Sequence, residues 1–316
     1  MAPVLIIAIA AVVVIGIAVK FYAKITCGRY AIKDDLRQKS ILITGATSGI
    51  GQAAAIELAR HGASVHLLCR NKSKAEKCAD RVTALTGNPR IQVWQLDTSS
   101  LSSVRQFCQR FLATNTGIDV LINNAGVMWV PSRQITEDGF ELTIATNHFG
   151  HFLLTNLLLE RMRQSRKARI VNVSSIAHWT ASLELNDINL EKSFSPHRAY
   201  ANSKLANILF TRHLSRRLHT TDITVNCLHP GAVTTDLFRH TKGIWMVLMR
   251  LIFPWFKTTE EGAQCILYLA VSPEVQAISG EYFWDCAKAS VSPTANDQRL
   301  AEQFWELSAS LTHSDL

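Results

Sequence analysis

Tyr200-Ala201-Asn202-Ser203-Lys204 sets a phenol and an ammonium at i and i+4, one turn apart on the same face of a helix. A free tyrosine ionises near about pH 10 and carries protons poorly at neutral pH. A nearby ammonium stabilises the phenolate, and an oxidised nicotinamide ring adds to that effect. The pair suits proton relay between an alcohol and a carbonyl. Such pairs also arise by chance on solvated surfaces, so the chemistry requires a third group and a cofactor. Ser174 ends the apolar run RIVNVS at 169–174 and Ser175 follows it, where open α/β sheets present groups to ligands. Either hydroxyl can hold a substrate oxygen or simply cap the next segment.

The cofactor signal lies upstream. The run ILITG at 41–45 leads into Thr44-Gly45-Ala46-Thr47-Ser48-Gly49-Ile50-Gly51 and then into helical AAAIELAR. Gly45 permits a tight turn, Gly49 lets backbone approach a pyrophosphate, and Gly51 allows close packing of helix on strand. The helix N-terminus offers free N–H groups to phosphates, and Thr47, Ser48 and Ile50 complete the expected cofactor loop. Arg70 follows Gly51 at the end of the next apolar run, where a carboxylate would select NAD and an arginine pairs with the 2′-phosphate of NADP. No carboxylate occurs between Val65 and Lys74. NADP or NADPH is the expected cofactor, and no metal site is expected.

These groups need a frame. The runs at 41–45, 64–69, 91–96, 119–124, 169–174 and 223–228 are β-branched and nearly continuously apolar, as in strands covered on both faces. Helical periodicity fills 51–60, 72–85, 101–112, 140–163 and 200–218. The alternation predicts one α/β domain over 39–316 built on a doubly wound parallel sheet, Rossmann-like. The 316 residues suffice for such a core without disulfides. Seven scattered cysteines with no C-x-x-C argue against a secreted disulfide framework or a zinc ribbon. The net charge is +8, but no block of five basic residues occurs, so no nucleic-acid partner is expected.

Residues 2–19 carry no charge. As a helix they span roughly 27 Å, close to the thin bilayer of the endoplasmic reticulum. No basic residue precedes this run and Lys20 follows it directly, which favours an uncleaved single-pass transmembrane anchor over a signal peptide. Lys20, Lys24, Arg29 and Lys33 follow it, so the positive-inside rule places the catalytic domain in the cytosol, behind a juxtamembrane linker at 20–38.

Thr44–Gly51, the N-N-A-G of Asn123–Gly126, the V-S-S of Val173–Ser175, Y-x-x-S-K at Tyr200–Lys204 and the H-P-G of His229–Gly231 occur in an order that resembles the short-chain dehydrogenase/reductase family. LINNAGVM at 121–128, NHFGHFLLTNLLLE at 147–160, SKLANILFTR at 203–212 and KTTEEGAQ at 257–264 are similar to its membrane-bound retinol dehydrogenases. The resemblance implies that Tyr200 is the acid/base, and that Lys204 is its partner and a ligand of the nicotinamide ribose. It further implies that Ser175 orients the substrate oxygen, with Ser174 the alternative, and that Asn147 holds a proton-relay water beside Lys204. It makes Asp97 an adenine contact and Asn124, Ala125 and Gly126 walls of the cofactor cleft. Pro230, Gly231, Val233 and Thr235 would contact the nicotinamide amide. The implied substrate is lipophilic, retinol or retinal first, with steroid or lipid-derived carbonyls as the alternative. A catalytically silent membrane scaffold or a nucleotide-sugar epimerase ranks lower.

Residues 238–257 are rich in Trp, Met, Leu and Phe, studded with Arg239, His240, Lys242, Arg250 and Lys257. They are expected to form an amphipathic lid over the substrate cleft that rests on anionic headgroups; the competing reading is a core helix. A homo-oligomer is left open.

Overall fold

Each of the six apolar runs forms a strand: β1 (Ser40–Thr44), β2 (Ser64–Cys69), β3 (Ile91–Gln95), β4 (Val120–Asn123), β5 (Arg169–Val173) and β6 (Thr224–His229). The computed structural model describes residues 27–233 and 256–314. The expected anchor at 2–19, the start of the linker, Thr235 and residues 238–255 of the expected lid lie outside them. Among the described residues no helix is long and apolar enough to cross a membrane.

Spatially the strands run β3-β2-β1-β4-β5-β6, followed by β7 (Tyr282–Trp284) and β8 (Ala287–Lys288). All neighbours are parallel, as expected, except for the antiparallel β7–β8 hairpin added at the edge. Its turn residues Asp285 and Cys286 take φ of +52° and +62° without a glycine, and strands this short carry no periodic signal. Chain order reverses between β1 and β4, so the carboxyl ends of these two strands open a crevice.

Helices cover both faces. Ile41, Ile43, Val120, Ile122 and Val171 point into one core, together with buried residues of α1 (Gly49–Arg60), α2 (Lys72–Thr86) and a later helix at Thr259–Val271. Leu42, Leu121, Ile170 and Val225 point the other way, toward α3 (Leu101–Leu112), α4 (Gly150–Arg163) and α5 (Pro196–Arg217). With the Thr259–Val271 helix as α6, the last helix is α7 (Gln298–Thr312). Its Trp305 stacks on Phe210 of α5 at 5.8 Å and meets Phe152 of α4 edge-on at 4.9 Å. This double coverage is why the strands are apolar at successive positions. β3 departs from that expectation: at the sheet edge, Gln92 and Gln95 are exposed and its other residues half-buried.

Two helices differ from their sequence reading. The periodic stretch 140–163 is not one helix but a short turn at Leu142–Ile144, a π-turn at Ala145–Phe149, and then α4. α5 begins at Pro196 rather than Tyr200, because Ser195 caps it by accepting the Arg198 N–H at 3.0 Å.

Candidate active site

The crevice is a cleft of about 450 Å³ that runs from the α1 N-terminus to Tyr200. Its floor at the switch point is backbone held close. Gly45 has φ +65°, and a Cβ there would lie 2.8 Å from Ala125 Cα. A Cβ on Gly51 would lie 2.4 Å from Asn124 Nδ2. The Asn124 amide needs that space, since it donates to Thr44 O at 2.8 Å and ties the end of β1 to that of β4. The Thr44 hydroxyl accepts the N–H groups of Asn124 and Ala125, each at 2.9 Å. A Cβ on Gly51 would also lie 2.7 Å from Gly45 O, so this glycine makes room both for the backbone leaving β1 and for a side chain of the N-N-A-G segment.

At one end of the cleft lie Thr47, Ser48 and Ile50, with Arg70 and Asp97 beside them. Ser48 caps α1 by position, yet its hydroxyl makes no cap bond, which leaves the helix N-terminus open to an anion. The Arg70 side chain is 69% exposed, and its Nε is 3.9 Å from Asp97 Oδ2, too far for a hydrogen bond. The other Asp97 oxygen accepts the Ser99 N–H and O–H, at 2.9 and 2.6 Å. Asn71 and Lys74 line the same end.

At the other end, Tyr200 and Lys204 project from α5, with Ser175 at the exit of β5. The Ser175 hydroxyl lies near enough to the Tyr200 phenol to favour its ionised form. Ser174 is not at the phenol: it is 1% exposed and donates its O–H to Lys204 O at 2.7 Å. Geometry therefore decides between the two serines. Burial pushes the Tyr200 phenol up to about 12, against a lesser pull downward from Ser175. This corrects the expectation of a phenol acidified by its neighbour. The Lys204 ammonium donates to Val173 O at 3.0 Å and sits 5.5 Å from the Tyr200 ring centroid, itself drawn down to about 8 by burial. In the protein alone, desolvation outweighs the lysine.

Asn147 lies in the π-turn behind Gly126 and does not line the cleft. Its side chain is committed to protein: Oδ1 accepts the Val127 N–H at 2.8 Å, and Nδ2 donates to Val127 O at 3.0 Å and to Ser203 Oγ at 2.9 Å. A water beside Lys204 would have to use its main-chain carbonyl, which already takes the Nδ1–H of His151 at 3.1 Å. The Thr44 hydroxyl is 2.9 Å from the other nitrogen of that ring.

Pro230, Gly231 and Val233 close the cleft beside Lys204. Thr235 lies outside the described residues. Lys257 reverses one expectation for the lid segment: it is 7% exposed, ion-paired to Asp285, and packed over Gly231. Its N–H also binds Ala232 O at 2.8 Å, so this cation is unavailable to lipid headgroups.

The order of these parts along the chain has a counterpart in known proteins. A family model described as short chain dehydrogenase matches residues 39–243, more than half of the chain. The chain belongs to the short chain dehydrogenase family. Membership makes it an oxidoreductase that works with a nicotinamide dinucleotide. Human retinol dehydrogenase 12 is 44% identical over 92% of this chain and 91% of its own length. Human retinol dehydrogenase 14 is 46% identical over 85% of each. Among solved structures, an uncharacterized protein from Mycobacterium Paratuberculosis aligns with TM-score 0.73 and 36% identity, covering 89% of this chain and 96% of its own. A short chain dehydrogenase from Burkholderia cenocepacia J2315, in complex with NADP, aligns with TM-score 0.63 and 25% identity over 84% of this chain and 100% of its own.

Sequence reasoning did not find several residues of this site. Asn71 and Lys74 extend the Arg70 end, and their nearness in sequence to Arg70 was an available signal. His229 lines the cleft with its Nδ1 buried and without a partner among the described residues. Burial, then the charge of Lys257, draws that ring down to about 3, so it stays neutral. His151 and His178 had no signal short of the fold, because each ring bridges a near carbonyl to a partner more than 100 positions away.

Proposed function

We propose that this dehydrogenase is NADP-dependent and interconverts a lipophilic primary alcohol and its aldehyde, retinol and retinal foremost. The observation that carries the reading is one continuous cleft. It has the Ser175 hydroxyl, Tyr200 phenol and Lys204 ammonium at one end, and an exposed arginine with a lysine nearby at the other. The glycine cradle, the uncapped α1 N-terminus and the lone buried His229 Nδ1 fit a dinucleotide. Gly45, Gly49 and Gly51 would hold the pyrophosphate, with Thr47, Ser48 and Ile50. Arg70 would hold the 2′-phosphate, Asp97 the adenosine, Asn124, Ala125 and Gly126 the cleft wall, Lys204 the ribose, and Pro230, Gly231, Val233 and Thr235 the amide. When bound, the nicotinamide supplies or takes up a hydride.

The chain's own residues handle the proton. In the reducing direction Ser175 holds the substrate oxygen and Tyr200 gives it a proton. Such a donor must stay protonated until substrate arrives, and a phenol raised to about 12 does so. Lys204, held near about 8, can return a proton to the phenolate at neutral pH. Asn147 acts through Val127 and Ser203, fixing the wall and the α5 turn behind Tyr200. The similarity to retinol dehydrogenases and the apolar segment at 2–19 support a lipophilic substrate and a single-pass anchor in the endoplasmic reticulum, with the catalytic domain in the cytosol. The test is NADPH consumption by the purified full chain with retinal, steroid ketones and medium-chain aldehydes. Retinal turned over with the highest kcat/KM supports the reading. A steroid ketone preferred over retinal replaces the substrate, and no NADPH consumption with any of them overturns it.

A further inference from the structure

His178 stands three residues beyond the substrate hydroxyl and is 1% exposed. Its ring lies between two backbone groups from distant parts of the chain. Nδ1 is 2.7 Å from the carbonyl oxygen of Ser175, and Nε2 is 3.1 Å from the amide nitrogen of Ser292. A carbonyl can only accept and an amide N–H can only donate, so the ring has one allowed state: neutral, with its proton on Nδ1. The His178 N–H also reaches the Ser175 carbonyl, at 3.2 Å, so both lone pairs of that oxygen are used. On the same residue, Ser175 Oγ accepts the Ala177 N–H at 3.2 Å, which leaves its O–H to donate toward the phenol. The ring is braced edge-on by Tyr282 of β7 at 5.1 Å.

We propose that His178 is a positioning residue of the reaction: through its ring, the backbone amide of Ser292 holds the carbonyl of Ser175, and with it the angle at which the Ser175 hydroxyl meets substrate. The turn at Ile176–Thr180 is a short 3₁₀ segment at the exit of β5, packed against α5, and the His178 ring adds a directional tie that packing does not supply. The tie runs 114 positions along the chain to the segment before Pro293–Asn296. It makes the C-terminal part of the fold a support for the site. The inference rests on Ser175 as the hydroxyl that holds the substrate oxygen.

The experiment measures kcat, KM and NADPH affinity for the full chain with retinal. His178→Phe keeps a flat ring but removes both bonds. It is expected to lower kcat by roughly 10- to 100-fold, the scale of a small misplacement at a reacting centre, with NADPH affinity within about twofold of the parent. His178→Asn restores a donor where Nδ1 stood but leaves the Ser292 amide without its acceptor, and recovers part of that loss. Ser292 already has φ −60°, so Ser292→Pro deletes the amide proton at a compatible backbone angle, together with the hydroxyl that caps the Ala295 N–H at 3.3 Å. It lowers kcat by roughly 3- to 10-fold, whereas Ser292→Ala, which loses only the hydroxyl, keeps kcat within about twofold of the parent. An equal loss in both overturns the proposal. Parental kcat in His178→Phe overturns the proposal, as does an Asn variant no better than the Phe variant, since ring packing then matters rather than the bond. Should His178→Phe fail to fold, parental kcat in Ser292→Pro overturns it alone. Undiminished turnover in Ser175→Ala would instead defeat the reading of Ser175, and this inference with it.

Discussion

Lys204 is needed for chemistry and costly to the fold, and Lys204→Met separates the two. The residue is 4% exposed, and burial alone takes its pKa from 10.5 to about 8. At about 1.4 kcal/mol per pH unit, that fall means the charged ammonium opposes folding by ~3 kcal/mol. Its place 5.5 Å from the Tyr200 ring returns roughly 1–2 kcal/mol as a cation–π contact. Methionine fills much of the same volume. The Val173 carbonyl that Lys204 bonds is not orphaned, because Asn207 Nδ2 also donates to it at 3.1 Å. Lys204→Met is therefore expected to be more stable than the parent by roughly 1–2 kcal/mol near neutral pH, while turnover falls by at least ~100-fold. The sign with pH follows from the depressed value. Below about pH 8 the folded protein carries the charge and the penalty is full; between about 8 and 10.5 the folded state gives up the proton before the unfolded state does, and the parent gains stability. Urea unfolding of the full chain in detergent, at about pH 7 and about pH 9.5, measures both. A variant less stable than the parent at neutral pH, or an advantage that does not shrink on the alkaline side, would refute the reasoning.

Tyr200→Phe should abolish turnover by at least ~1,000-fold and leave NADPH affinity within about threefold, read by cofactor fluorescence titration. Arg70→Ala should raise KM for NADPH more than for NADH; equal effects would remove Arg70 from cofactor choice. The two serines should part company. Ser175→Ala is expected to lower kcat by about 100-fold with little change in stability, whereas Ser174→Ala, which loses a buried bond to Lys204 O, should cost about 1 kcal/mol in denaturant unfolding and keep most of kcat.

The strand positions were readable because each strand interior is packed on both sides, which demands apolar side chains at successive positions. Ile41, Leu42 and Ile43 are all fully buried although they face two different cores. The glycine loop was readable because steric demands at Gly45 and Gly51 admit almost no side chain. The π-turn around Asn147 was not readable: a π-turn shifts helical register by one residue, and the periodicity of 140–163 averages over it. Nor was the β7–β8 hairpin, whose strands of three and two residues are too short to show a period.

The sequence by itself determined the class of sheet, the loop that receives a phosphate, and the phenol and ammonium that share a helical face, because these depend on local stereochemistry and on patterns within a few turns. Tertiary structure alone decided which serine meets the phenol, that burial raises rather than lowers its pKa, and that Lys257 faces Asp285 instead of lipid. It also fixed the proton on His178 through an amide 114 positions away. Desolvation and hydrogen-bond direction are set by whatever the rest of the chain packs around a group, and no spacing between neighbours encodes that.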